Sequence, residues 1–228
     1  MRETGFLFKE EMVRAILEDR KWVTRRLVNP QPNGMSDFWP KGSHTEWQDI
    51  LSKPEYYVAC GYCKYGQPGD VMYVKETWMP FDVVGHDYDK PAVVIGYKAS
   101  NDIRPDGVSH EEFGASKTFP VSPEKWRDFR GEIERMEAEG DRWHPSIFMP
   151  RWASRIQRKI ISVRPERLQD ITEAEAKAEG VDPALAGTDC GEPLKTYRTG
   201  FVYLWNRINP EHPWSINPWI WRIEFERK

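Results

Sequence analysis

A chain of 228 residues with 39% hydrophobic and 30% charged residues is long enough to bury a core and too apolar for wholesale disorder. Its formal net charge of −3 gives no overall basic field for nucleic acid, so any such binding must use a local patch. No run of about 18 apolar residues occurs, and the polar start Met1-Arg2-Glu3-Thr4-Gly5 argues against a signal peptide, so the expectation is a cytoplasmic protein without membrane contact.

Gly5 to Phe8 reads as a first strand. Met12, Val13, Ile16 and Leu17 then fall at helical spacing, predicting an amphipathic helix over 9–19. Trp22 to Val28 favours an extended chain, which completes a β-α-β opening with Arg20 and Lys21 on the turn. Pro and Gly signals mark 31–64 as an insertion, and Pro68-Gly69-Asp70 as a turn into a strand over 71–78. Val93 to Lys98 predicts another strand. The segment 102–143 reads as a second insertion, with short helices over 123–129 and 132–139. Ile156 to Arg164 alternates as a strand with one wet face, and Thr172-Glu173-Ala174-Glu175 is a capping box opening a helix that Gly180 ends. A helix over 196–208 and an alternating strand over 218–227 close the chain. Strands that alternate disfavour a doubly wound parallel sheet. The expectation is one α+β domain built on a small, mostly antiparallel barrel.

The stretch from Leu17 to Arg26 concentrates an amine, a hydroxyl and three guanidinium groups. Lys21 and Thr24 would point to opposite faces of a continuous strand, so a joint site requires Lys21 to lie on the turn. Lys21 serves as a base only with a lowered pKa, toward which Arg20, Arg25 and Arg26 push it; Thr24 is then a candidate nucleophile. The same residues would also serve as a solvated basic helix end. Glu179, near the end of its predicted helix where the dipole opposes a negative charge, is the candidate proton donor. A binding module is the competing class: Arg25, Arg26, Arg151 and Arg155 would grip phosphates while Trp78 or Trp152 stacks on an unpaired base. Core packing is the other role open to these tryptophans.

Cys60-Gly61-Tyr62-Cys63 is half of a zinc or redox motif, but a second pair is missing and three cysteines in all do not suggest a disulfide framework. The expectation is reduced thiols, no metal and no cofactor.

Arg20, Lys21, Thr24 and Arg26 after a helix, the Pro68-Gly69-Asp70 turn, the helix carrying Leu168, Ile171, Thr172, Ala176 and Glu179, and the closing aromatic strand from Trp219 to Phe225 together resemble the ASCH domain, a PUA-like β-barrel family. The run Met149 to Arg155 before a strand is similar to longer members found in bacteriophages and prophages. The resemblance covers the framework but not the two insertions. It implies RNA-related work, and among small members an amidohydrolase activity on N4-acetylcytidine in which a Lys accepts a proton, a Thr is nucleophile and a Glu donates a proton. By position these roles fall on Lys21, Thr24 and Glu179, with Arg20, Arg25, Arg26, Trp78, Arg151, Trp152 and Arg155 as candidate contacts to RNA or a modified nucleoside. The family also includes ribonucleases and RNA-binding modules. Trp22 and Arg25 depart from the small enzymes' pattern.

Overall fold

The computed structural model describes residues 1–29, 31, 63–86, 89–100, 117–140, 143–183 and 196–227. Among the described residues, eight strands and four α-helices follow in the order β1 (Glu3–Leu7), α1 (Glu10–Leu17), β2 (Val23–Leu27), β3 (Val71–Lys75), β4 (Trp78–His86), β5 (Asp89–Tyr97), β6 (Lys117–Pro120), α2 (Pro123–Glu139), β7 (Gln157–Arg167), α3 (Glu173–Ala178), α4 (Tyr197–Ile208) and β8 (Trp219–Phe225). The fold is α+β. One sheet has the order β1-β3-β7-β8-β2 and a second the order β4-β5-β6. By contact the chain divides into two compact units, one of residues 1–4, 15–72 and 158–228, the other of 5–14 and 73–157.

In the first unit β2, β8 and β7 are antiparallel, with Arg25 opposite Arg222 and Arg222 opposite Arg164. Alternation turns Thr24, Ile223 and Val163 to one face, where Ile223 and Val163 are buried, and the three arginines to the other. The Pro68-Gly69-Asp70 turn is held by Asp70: its carboxylate accepts the N–H of Arg2 at 2.7 Å and of Gln67 at 3.1 Å. Helix α3 has the full capping box, Thr172 taking the Glu175 N–H and Glu175 the Thr172 N–H.

The second unit contains features absent from the sequence reading. The strand expected over 71–78 ends at Lys75, and a separate β4 begins at Trp78 and pairs along β5, which in turn pairs β6. In place of two short helices stands one, α2, capped by Ser122 with Pro123 in its first turn and closed by Gly140 at φ 95°. Trp78, Val93, Ile95, Tyr97, Met149 and Ala153 form its core, with Phe119, Phe129 and Trp152 packed against them.

Candidate functional site

Helix α1 ends at Leu17, Asp19 in the turn beyond it adopts φ 57°, and the carbonyl of Ala15 accepts the N–H groups of both Arg20 and Lys21, at 2.8 and 3.0 Å. This turn sets Lys21 outside β2, as a joint site requires. Lys21 instead bridges Glu179 just past the end of α3, and the Trp22 N–H donates to the Ala178 carbonyl at 3.0 Å. Two segments 158 residues apart in sequence are thereby laid side by side.

Lys21 and Glu179 are 2% and 4% exposed. The Lys21 ammonium donates to Glu179 Oε2 at 2.5 Å, to the Glu179 carbonyl at 3.0 Å and to the Val23 carbonyl at 2.8 Å. A lysine has three N–H donors, and three acceptors surround this one. Burial pushes the Lys21 amine below its usual range; the Glu179 carboxylate opposes that shift, while Arg26 and Arg25 add to it. A buried amine in contact with a single carboxyl group can exchange one proton with it at little cost.

The other oxygen of Glu179 belongs to Arg25, whose Nη1 donates to Oε1 at 3.2 Å. Arg25 also reaches Glu166 at 2.8 Å and Glu175 at 3.0 Å, and its side chain is 0% exposed. Glu175 is shared: besides Arg25 it accepts from Arg222 at 2.9 Å and Arg164 at 3.1 Å. The cross-strand arginine row is therefore neutralised from above by one helical carboxylate, with Glu166 and Glu224 completing the balance in the plane of the sheet. Burial pushes the Glu175 carboxyl up, but the Thr172 N–H and the guanidinium groups of Arg25, Arg222 and Arg164 outweigh it and hold the group below the usual carboxylate range.

The remaining candidates divide by location. Thr24 is buried, 4% exposed, on the face of β2 opposite Arg25. Arg26 turns to the same face as Thr24; burial lowers its pKa, against the pull of Tyr65 and Glu179 nearby. Arg20 lies outside, half exposed, paired with Glu18 and donating to the Gly180 carbonyl at 3.2 Å. Trp78, Arg151, Trp152 and Arg155 belong to the second unit. There Trp78 is 6% exposed and stacks on His144, with ring centroids 4.7 Å apart. Trp152 meets Phe119, Phe129 and Trp78 edge to face. Arg155 grips the buried Glu76 through two bonds of 3.0 and 2.9 Å and lies 4.1 Å over Tyr97, while Arg151 covers Tyr73 and bonds Gln157. These contacts give Trp78 and Arg155 work in their own unit's core.

Glu166, Glu175, Arg164 and Arg222 did not stand out in the sequence. Their signal was present: Arg164-Pro165-Glu166 and Arg222-Ile223-Glu224 place opposite charges two apart, on one face of each strand. Cys60 and Cys190 lie outside the described residues, and Cys63 is a buried free thiol. Among the described residues no cluster of His, Cys, Asp and Glu could hold a metal ion, and no helix is long and apolar enough to cross a membrane. Comparison with family models, curated proteins and solved structures returns no match.

Proposed function

We propose that the chain is an ASCH-like protein of PUA-like β-barrel fold and that the Lys21–Glu179 pair hydrolyses the amide of an N4-acylated cytosine, in RNA or as a nucleoside, in the cytoplasm of a bacterial cell or of phage-infected bacteria. The antiparallel β2-β8-β7 arrangement supports the fold reading, with the described strands forming open sheets. The observation that carries the chemistry is the 2.5 Å contact between the buried Lys21 amine and the buried Glu179 carboxyl group, with Thr24 three residues from Lys21 along the chain.

In this reading the bridging proton starts on Glu179 Oε2, leaving Lys21 neutral. Lys21 takes the hydroxyl proton of Thr24 as Oγ1 attacks the acyl carbonyl, and Glu179 gives its proton to the departing exocyclic amine. The pair is then ammonium and carboxylate. Water attacks the acyl-threonine, Glu179 accepts the water proton, Lys21 returns one to Oγ1, and the starting state is restored. Arg26, on the Thr24 face, is the candidate donor to the oxyanion. A non-catalytic RNA-binding module or a ribonuclease is the weaker reading, because Arg25 and Arg155 already hold carboxylates and Trp78 is core.

The test is incubation of the protein, and of Lys21→Ala, Thr24→Ala and Glu179→Gln, with N4-acetylcytidine and with an acetylated oligoribonucleotide, following deacetylation by chromatography. Turnover by the wild type that falls at least about 100-fold in all three variants supports the assignment. Failure of the wild type on both substrates overturns it.

A further inference from the structure

Glu179 has two oxygens with two different owners: Oε1 accepts from Arg25 at 3.2 Å, and Oε2 accepts from Lys21 at 2.5 Å. Arg25 cannot move freely to a different acceptor. Its Nε bonds Glu166 at 3.0 Å and its Nη2 bonds Glu175 at 3.0 Å, and the ring of Phe201 lies 5.9 Å from the guanidinium carbon. Glu175 is itself fixed as the closing residue of the capping box of α3, the helix whose end carries Glu179. A planar fork is thus seated by two carboxylates and aimed at a third.

We propose that Arg25 is a positioning residue for the Lys21–Glu179 pair, not a contact to substrate: it holds Oε1, leaves Oε2 alone to face Lys21, and sets beside the pair a fixed positive charge that disfavours a second one on the lysine. The proposal deepens the hydrolase reading and rests on it for its catalytic meaning, but the arrangement itself is testable without any substrate. A guanidinium serves here where an ammonium would not, because three carboxylates at three directions need a fork of donors. Charged groups near the lysine are Glu179 from the end of α3 and Arg25 and Arg26 from β2, with Glu166 and Glu175 acting through Arg25. Of these, Arg25 is the one that touches the same carboxylate from the other side.

The experiment is a titration of the Lys21 amine, followed by NMR of side-chain nitrogen in protein labelled on lysine, in the wild type, Arg25→Gln, Arg25→Lys and Glu224→Gln. Glu224 is the control: its carboxylate pairs with Arg222 at 3.0 Å and so belongs to the same network. Loss of the Arg25 charge is expected to raise the Lys21 pKa by about one unit. Arg25→Lys retains the charge and keeps the titration near that of the wild type, while losing the fork lowers any amidase kcat by at least about tenfold with KM little changed. Glu224→Gln leaves the titration in place. If Arg25→Gln does not fold, the charge-balanced Arg25→Gln/Glu166→Gln variant is titrated in its place; failure of both to fold assigns Arg25 a purely structural role and overturns the proposal. An unshifted Lys21 in a folded Arg25 variant, or an equal shift in Glu224→Gln, overturns it as well. Absence of amidase activity in the wild type with the expected lysine shifts would sink the hydrolase reading and leave the positioning intact.

Discussion

A Cβ placed on Gly180 would lie 2.8 Å from the Cβ of Lys21 and 2.7 Å from that of Ala15, and Gly180 holds φ at 73°. The glycine both ends α3 and lets Glu179 reach the lysine. Gly180→Ala is expected to destabilise the fold by about 1–3 kcal/mol, from left-handed strain and overpacking together. Urea unfolding measures it; a loss under about 0.5 kcal/mol would mean that the α3 end and the Lys21 turn separate easily.

Replacing the buried pair by neutral groups separates function from stability. The double variant Lys21→Met/Glu179→Gln leaves no buried charge without its opposite and is expected to match or exceed the wild type in stability, by up to about 2 kcal/mol. It should have no amidase activity. Lys21→Met alone strands Glu179 against Arg25 and is expected to cost about 3 kcal/mol. Thermal and urea melts of the single and double variants check both; a double variant as unstable as the single would make the pair a structural pin first.

Glu175 gives a pH signature. Its folded carboxyl pKa lies below the unfolded value of 4.5, so its contribution to stability is present above that value and is lost as pH falls through the folded pKa. Glu175→Gln should therefore cost about 1–2 kcal/mol at about pH 7, allowing for solvent screening of a half-buried group, and the difference from the wild type should be smaller at about pH 3. Urea midpoints at the two pH values test this. A difference that does not shrink in acid would mean that the amide lacks something other than charge.

Cys63 should be inert. It is 1% exposed, and burial pushes its thiol up to about 11. In a Cys60→Ser/Cys190→Ser background, where Cys63 is the only thiol, iodoacetamide at about pH 8 should label the native protein at least about 100-fold more slowly than the urea-unfolded chain. Comparable rates in the two states would show that the turn around Cys63 opens readily.

Much of the framework was readable because it depends on local rules. Thr172 and Glu175 announce a capping box four residues long, the Lys21 turn follows from where helix spacing stops and β-formers begin, and β8 is rich in the aromatic and β-branched residues of a strand. Where neighbours in sequence did not decide the structure, the reading failed. The strand from Val71 was carried on to Trp78, whereas Glu76 and Thr77 interrupt the strands and Glu76 turns inward to Arg155, 79 residues away. Two short helices were expected over 123–129 and 132–139, but nothing lies within 4 Å of a Cβ at Gly131, and α2 runs through on the helical preference of its Glu- and Arg-rich turns. At the site, Lys21 and Glu179 could be named from sequence. The engagement of Arg25 could not, since its three partners lie 141, 150 and 154 residues on. Arg25 looked like a free cation because its counter-charges arrive by folding.

The cross-strand arginine row has a consequence for how this protein can drift. Arg25 and Arg222 share the carboxylate of Glu175 in a place largely shielded from water, so neutralising any one of these three strands charge there, whereas the half-exposed Arg164 joins them from the solvent side. Single-letter changes at these positions are steep, whereas joint ones that exchange charge for apolar volume are shallow. Descendants of this sequence are therefore expected to keep all three or to lose them as a set, and an alignment of its relatives should show positions 25, 175 and 222 changing together while 164 varies more freely.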